Sequence, residues 1–370
     1  MAPSTSPFTA SFELATVGAS HDRRRMLSIR TPARLLTRAH AVAFFPMAPP
    51  TRARLLFVAK LAFSALLLWI VCRRLDTHGI AARLRVANWH WLVLGLSASP
   101  IVIALAARRW QVLSQGLLSF GDAFRYSWIG LFFGSIIPGM VSGDVAKGVA
   151  LAAKSAHARD ERLPVSIFFD KLIGLWVLLV LFCIVALMLL AEYPQTIAGL
   201  HGLIVVGFAA TFIGLAAGAG IMHSKGSRVA RRLIPSVPGA RLRTFAERVL
   251  ADVGHYAAQP RLVGEALLLS VAIHGINSLA FWLALRSLAI PASLFFAAVM
   301  YPMLSLLLAA PISISGIGVR DIFLFALFRT FGLNPDSGVA FSWLLLGLGL
   351  LPASVGGLIQ LWEIFRRRRA

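Results

Sequence analysis

Two stretches decide the reading: Ile136-Ile137-Pro138-Gly139-Met140-Val141-Ser142-Gly143-Asp144-Val145-Ala146-Lys147 and Ala310-Pro311-Ile312-Ser313-Ile314-Ser315-Gly316-Ile317-Gly318-Val319-Arg320-Asp321. Each ends a long apolar run with proline and glycine, then sets an acid close to a base. In hydrocarbon an unpaired peptide group is costly, so irregular backbone is tolerated there only where protein or a wet cavity surrounds it. Interrupted hydrophobic segments in both halves of a chain point to a transporter-type binding site.

The remainder of the chain supports a membrane setting. Of 370 residues 58% are hydrophobic and only 14% charged, which an ordinary soluble domain does not reach. Lys and Arg number 36 against 15 Asp and Glu, a formal net charge of +21. These bases cluster between apolar runs, the pattern of cytoplasmic loops facing anionic inner-leaflet lipid rather than of a nucleic-acid module. Cys72 and Cys183 have no metal-like spacing. There is no His-Glu-x-x-His and no Walker loop, and Gly316-x-Gly318 lacks the strand–helix context of a dinucleotide fingerprint, so neither metal nor cofactor is expected.

A crossing needs about 20 apolar residues. Such runs occupy 55–72, 89–107, 165–191, 197–222, 264–288, 291–310 and 338–365, with shorter helical pieces at 126–137 and 319–331 beside the two breaks. The expected fold is therefore all-α, a polytopic membrane helix bundle of about eight segments with two Pro/Gly-broken re-entrant elements. Residues 1–50 read as a basic, disordered tail resembling a transit peptide, with translation from Met26 or Met47 as the plainer alternative. Residues 51–365 form the transmembrane domain, and 366–370 a basic tail. The basic loop 223–262 is expected on the cytoplasmic side of a cell inner membrane. Its Leu242, Phe245, Val249, Leu250, Val253 and Tyr256 recur at helical spacing, which suits a helix lying on the leaflet or one packed on the membrane domain. Gly347, Gly349, Gly356 and Gly357 in the last run read as sites of close helix packing.

Four elements in order carry a resemblance: Arg109-Trp110; Pro138-Gly139…Ser142-Gly143-Asp144…Lys147; Asp170-Lys171…Gly174-Leu175; and Pro311…Ser315-Gly316-Ile317-Gly318…Arg320-Asp321. Over roughly residues 50–365 the chain resembles the transmembrane region of lysylphosphatidylglycerol synthases and the stand-alone flippase-like proteins related to it. Against that pattern Lys147 and Lys171 stand for arginines, Ser142 and Ser315 for glycines, Asp321 for a glutamate and Ser135 for an asparagine. Lysine keeps a point charge for phosphate but lacks the planar fork of arginine, so headgroup preference is expected to differ. The resemblance implies lipid translocation without aminoacyl transfer, since the synthetase domain is absent from this chain.

Helix N-termini supply free N–H groups and a positive dipole end to an anion. Lys147 and Arg320 are the candidates to hold a headgroup phosphate, with Arg109 as a third. Asp144 and Asp321 would balance them or accept a cationic headgroup, and either could couple transport to protons. Asp170 and Lys171, adjacent on one helix, are expected to face different sides, so that only one lines the cavity. The bland readings are a surface ion pair for Asp144–Lys147, an interfacial pair for Asp170-Lys171, and a positive-inside anchor for Arg108-Arg109. His274 and Asn277 read as interhelical hydrogen-bonding partners. The expected activity is movement of a phospholipid or lipid-linked precursor between leaflets. The alternatives are a membrane-embedded lipid- or isoprenoid-modifying transferase, and a scaffold recruiting a partner to the basic loop. Expected partners are the lipid substrate, anionic inner-leaflet lipid, and a second copy or a biosynthetic enzyme.

Overall fold

The structure is a computed structural model that describes residues 84–136, 142–152, 162–192, 201–222, 232, 234–236, 239–309, 313 and 315–369. The basic tail, the apolar run 55–72, Pro138, Gly139 and Pro311 lie outside the described residues. Among those described, every regular element is helical. In chain order the α-helices are α1 (Trp89–Leu113), α2 (Phe120–Ile136), α3 (Ser142–Ala152), α4 (Arg162–Glu192) and α5 (His201–Met222). They continue with α6 (Ala240–Ala257), α7 (Pro260–Ser287), α8 (Leu294–Ala309), α9 (Val319–Thr330) and α10 (Pro335–Arg369).

Helix α1 lies antiparallel against α7. At one end the Asn88 N–H donates to the Ser287 carbonyl at 2.8 Å, and at the other Arg108 pairs with Glu265 at 2.9 Å. Twenty residues of α1 separate those marks, about 30 Å at 1.5 Å per residue. That is the thickness of a bilayer's hydrocarbon core. Among the described residues four helices are long and apolar enough to cross, at Trp89–Leu113, Leu163–Ala191, Pro260–Ser287 and Pro335–Arg366. Their outer surfaces are apolar too: Leu268 is 73% exposed and Leu358 65%. Patches of this kind on a free-standing monomer mark contact with lipid or protein. The chain is an all-α membrane helix bundle.

The observed ends differ from the apolar runs for local reasons. Helix α2 begins at Phe120, six residues before the run 126–137, because Asp122 and Arg125 dilute the hydropathy there. A serine N-cap opens it: the Ser119 hydroxyl accepts from the Asp122 N–H at 3.1 Å and donates to its carboxylate at 3.0 Å. Helix α4 begins at Arg162, which sets Asp170 and Lys171 two turns inside the span rather than at its start. Asn334 and Pro335 open α10 the same way, Asn334 Oδ1 accepting from the Asp336 N–H at 2.9 Å.

Close approach between α2 and its neighbours rests on glycine. A β-carbon on Gly143 of α3 would run into the Gly130 carbonyl of α2, and one on Gly356 of α10 into the Trp128 carbonyl. Gly357 packs on the Phe132 ring. The expectation of close packing fails at Gly347 and Gly349, where an added β-carbon meets nothing within 4 Å.

Helix α6 packs on the membrane domain. Phe245, Val249, Val253 and Tyr256 join Leu113, Val165, Phe169 and Ala266 in one cluster. Its apolar face is therefore occupied by protein, which corrects the reading of that face as lying on the leaflet. The buried Tyr256 hydroxyl donates to the buried Leu113 carbonyl at 2.6 Å, capping the last turn of α1. Tyr256→Phe strands that carbonyl, and is expected to lower stability by about 1 kcal/mol, read as a drop in Tm of the detergent-purified protein.

Candidate functional site

Arg109 stands one turn before the end of α1, on the face that packs against α4 and α7. It is 8% exposed. Its Nε donates to Asp170 Oδ1 at 2.7 Å and its Nη1 to the Ser270 hydroxyl of α7 at 2.9 Å. Gly174, one turn beyond Asp170, leaves room for the guanidinium: a β-carbon there would stand 2.9 Å from Nη1. Arg108, one residue earlier, is exposed and faces Glu265 instead. Of the two arginines, Arg108 is thus an exposed ion-pair member and Arg109 a buried one.

The acid–base pair after the first break meets this pair. Lys147 Nζ lies 2.9 Å from Asp144 Oδ1 on its own helix and 3.7 Å from Asp170 Oδ2 on α4. It also sits 4.6 Å from the centroid of the fully buried Trp110 ring, a cation–π contact. The Trp110 Nε1–H donates to the Ser166 hydroxyl at 3.2 Å. Lys171 Nζ reaches Asp144 Oδ2 at 3.4 Å while its side chain stays 47% exposed. The expectation that only one of Asp170 and Lys171 enters the site is thus corrected. Their α-carbons do diverge, but the four-carbon lysine stem bends back to Asp144.

Five charged groups from α1, α3 and α4 therefore form one network: Arg109, Lys147 and Lys171 against Asp144 and Asp170. Three formal positive charges face two negative ones. The surplus cation ends at Lys171, the member open to the outside. Asp144–Lys147 is the i,i+3 pair of the bland reading, yet it is buried and belongs to a larger assembly.

Arg320 and Asp321 form a second, self-contained cluster. Asp321 Oδ2 accepts from the Gly318 N–H at 3.0 Å, closing the start of α9. The Ser342 hydroxyl of α10 donates to Asp321 Oδ1, and Arg320 Nε donates to Ser342 Oγ at 2.7 Å. Arg320 and Asp321 are both buried. Among the described residues no ion pair joins this cluster to the first. The backbone before it is left-handed at Ser315 (φ 51°), Gly316 (φ 75°) and Gly318 (φ 80°). Gly316 has no room for a β-carbon beside Leu308. The Ser315 hydroxyl donates to the Ser135 carbonyl at 2.9 Å, at the end of α2 that leads into the first break.

A polar stripe on α7 was not singled out as a unit. Ser270, His274 and Asn277 recur at i, i+4 and i+7 on one helical face. Ser270 holds Arg109; the His274 ring lies 3.1 Å from the Gly174 carbonyl through Nε2 and 3.2 Å from the Tyr301 hydroxyl through Nδ1. Asn277 and Tyr301 line a cavity of about 290 Å³ between α1, α7, α8 and α10. No charged residue of either cluster lines it. Among the described residues no group of three or more His, Cys, Asp or Glu side chains could hold a metal ion.

Comparison with curated proteins and with solved structures gives no match. The family model for the lysylphosphatidylglycerol synthase TM region matches residues 57–360, a range that contains both breaks and the whole ionic network. The chain belongs to the lysylphosphatidylglycerol synthase transmembrane-region family.

Proposed function

We propose that this protein moves a phospholipid, or a lipid-linked precursor bearing phosphate, between the leaflets of a cell inner membrane in which it is multi-pass. One observation carries the reading: a buried network with one more cation than anion, ending at a partly exposed lysine. Buried charges persist when paired, and a partly exposed lysine that shares its carboxylate with a second lysine keeps charge to spare for an anion. A headgroup phosphate docks on Lys171 and reaches Lys147 and Arg109 as the carboxylates release them. Helix α3, entering this site from the first break, adds its N-terminal N–H groups. In this reading 51–365 act as one translocation domain, the two breaks are re-entrant, and 223–262 faces cytoplasmic anionic lipid. Flow is downhill unless Asp144 or Asp321 couples it to protons. Family membership supports lipid handling, and the surplus of cations supports an anionic headgroup.

The test is leaflet exchange of fluorescent short-chain phosphatidic acid in vesicles containing the purified protein. Lys171→Met leaves Arg109–Asp170 and Lys147–Asp144 intact as balanced pairs, so the fold is expected to survive. One charge-assisted bond is worth about 1.5–3 kcal/mol, so exchange is expected to fall roughly 10- to 100-fold. Lys171→Arg restores it. Exchange by Lys171→Met at the wild-type rate removes the cluster from the transport path.

A further inference from the structure

The cavity between α1, α7, α8 and α10 belongs to neither charged cluster, and its wall has a specific chemistry. Most of it is apolar, with Phe281 and Tyr301 forming an aromatic corner whose rings cross at 68°, 6.4 Å apart. Three polar side chains interrupt it: Ser99, Asn277 and Tyr301. Two backbone acceptors add to these. Pro100 and Pro352 lie inside α1 and α10. A proline has no N–H, so the residue four earlier loses its helical donor. Those residues are Leu96 and Leu348, and both stand on the cavity wall. The wall thus offers hydroxyl, amide and carbonyl partners with no charge beside an aromatic surface.

A hydrocarbon tail would offer the Ser99 hydroxyl and the Asn277 amide no hydrogen-bond partner, while Tyr301 already meets His274. A phosphate would find no cation. A ring polyol satisfies both halves of the wall: its C–H face packs on the aromatic corner and its hydroxyl rim donates to and accepts from the polar groups. The size agrees, since about 290 Å³ is the volume of roughly ten waters at ~30 Å³ each. A six-membered sugar or cyclitol occupies such a space, whereas a glycerol fills about half of it. We propose that this cavity is a binding station for a neutral cyclic polyol, the sugar or cyclitol part of a glycosylated lipid headgroup. The proposal deepens the translocation reading, on which it rests, by naming what the headgroup carries beyond phosphate. Ser99 lies ten residues before Arg109 on α1, about 15 Å along the helix axis. The Ser270–His274–Asn277 stripe spans that interval on α7, so the sugar station and the phosphate station are joined by polar side chains.

The test is lipid retention by native mass spectrometry, using the whole protein released from nanodiscs. The probes are monoglucosyl-diacylglycerol, diacylglycerol with the same chains, and phosphatidic acid. Wild type is expected to retain the glucosyl lipid at least tenfold over diacylglycerol. Gly349→Leu fills the cavity from a wall position whose β-carbon meets nothing within 4 Å, so it should not disturb the fold. Ser99→Ala removes one hydroxyl at nearly constant volume. Both are expected to erase or sharply reduce the glucosyl preference while phosphatidic acid retention stays at the wild-type level. No preference in wild type, or a preference untouched by Gly349→Leu, overturns the proposal. Loss of diacylglycerol retention in step with the glucosyl lipid would show a tail slot instead, and loss of all three lipids would show a packing defect. Either result also overturns it. Transport is not read here, so absent leaflet exchange would sink the translocation reading while a surviving sugar preference kept the station.

Discussion

Asp170→Ala is expected to be the most damaging single substitution in the ionic network, with loss of about 3–5 kcal/mol of stability. The carboxylate is shared: Oδ1 takes Arg109 Nε at 2.7 Å and Oδ2 faces Lys147 Nζ at 3.7 Å. Removing it leaves a buried guanidinium whose remaining partner is Ser270, beside a buried ammonium held by Asp144. Both cations are buried, so neither is compensated by full solvation. The measurement is Tm of the detergent-purified protein together with leaflet exchange in vesicles. Asp170→Asn keeps the shape and separates charge from packing: it should recover part of the Tm and little of the exchange. The double change Arg109→Met with Asp170→Met tests the same point from the other side. Replacing a buried pair by apolar groups of similar volume is often neutral for stability, so this variant should fold and yet be inactive. If Asp170→Ala unfolds at the wild-type temperature, the network is ornamental to the fold.

Much of this site was legible before any coordinate. An acid beside a base after a broken apolar run is expensive in lipid unless the charges meet partners, and every such residue among those described does meet one. The helix class, the apolar runs and the helix after each break followed from hydropathy and punctuation alone. Three things did not. Hydropathy averages over the polar first turns of α2 and α4, so their starts were placed too late. Side-chain reach is invisible to helical-wheel reasoning, which sent Asp170 and Lys171 to different sides although both bear on the α3 acid–base pair. The partner of a buried charge is a matter of tertiary contact: nothing local to Ser270 or Ser342 marks them as the hydroxyls under Arg109 and Arg320. One missed signal was present in the sequence. Gly130 and Gly134 form a small-x-x-x-small motif on α2, the pattern that lets membrane helices approach backbone to backbone.

That motif is where the second large effect is expected. Gly143 enters α3 against the groove made by Gly130 and Gly134, and a β-carbon on it would collide with the Gly130 carbonyl and press on the Gly134 α-carbon at 3.2 Å. Both obstacles are backbone, so neither can swing aside as a flexible side chain would. Gly143→Ala must therefore push α3 off α2. Overpacking of this kind costs about 1–3 kcal/mol where the surroundings can yield. Here displacement also carries Asp144 and Lys147, one and four residues on, away from Asp170 and Lys171. The expected result is a loss of leaflet exchange out of proportion to the loss in Tm, because the shift breaks the charge network at its α3 side while α1 and α4 stay paired. Gly134→Ala is the control: a β-carbon there meets Gly143 at no less than 3.6 Å, ordinary contact, and should be tolerated. A Gly143→Ala protein with wild-type exchange would mean that α3 is free to move at no functional cost, and that the charges it bears do not have to be held where the structure holds them.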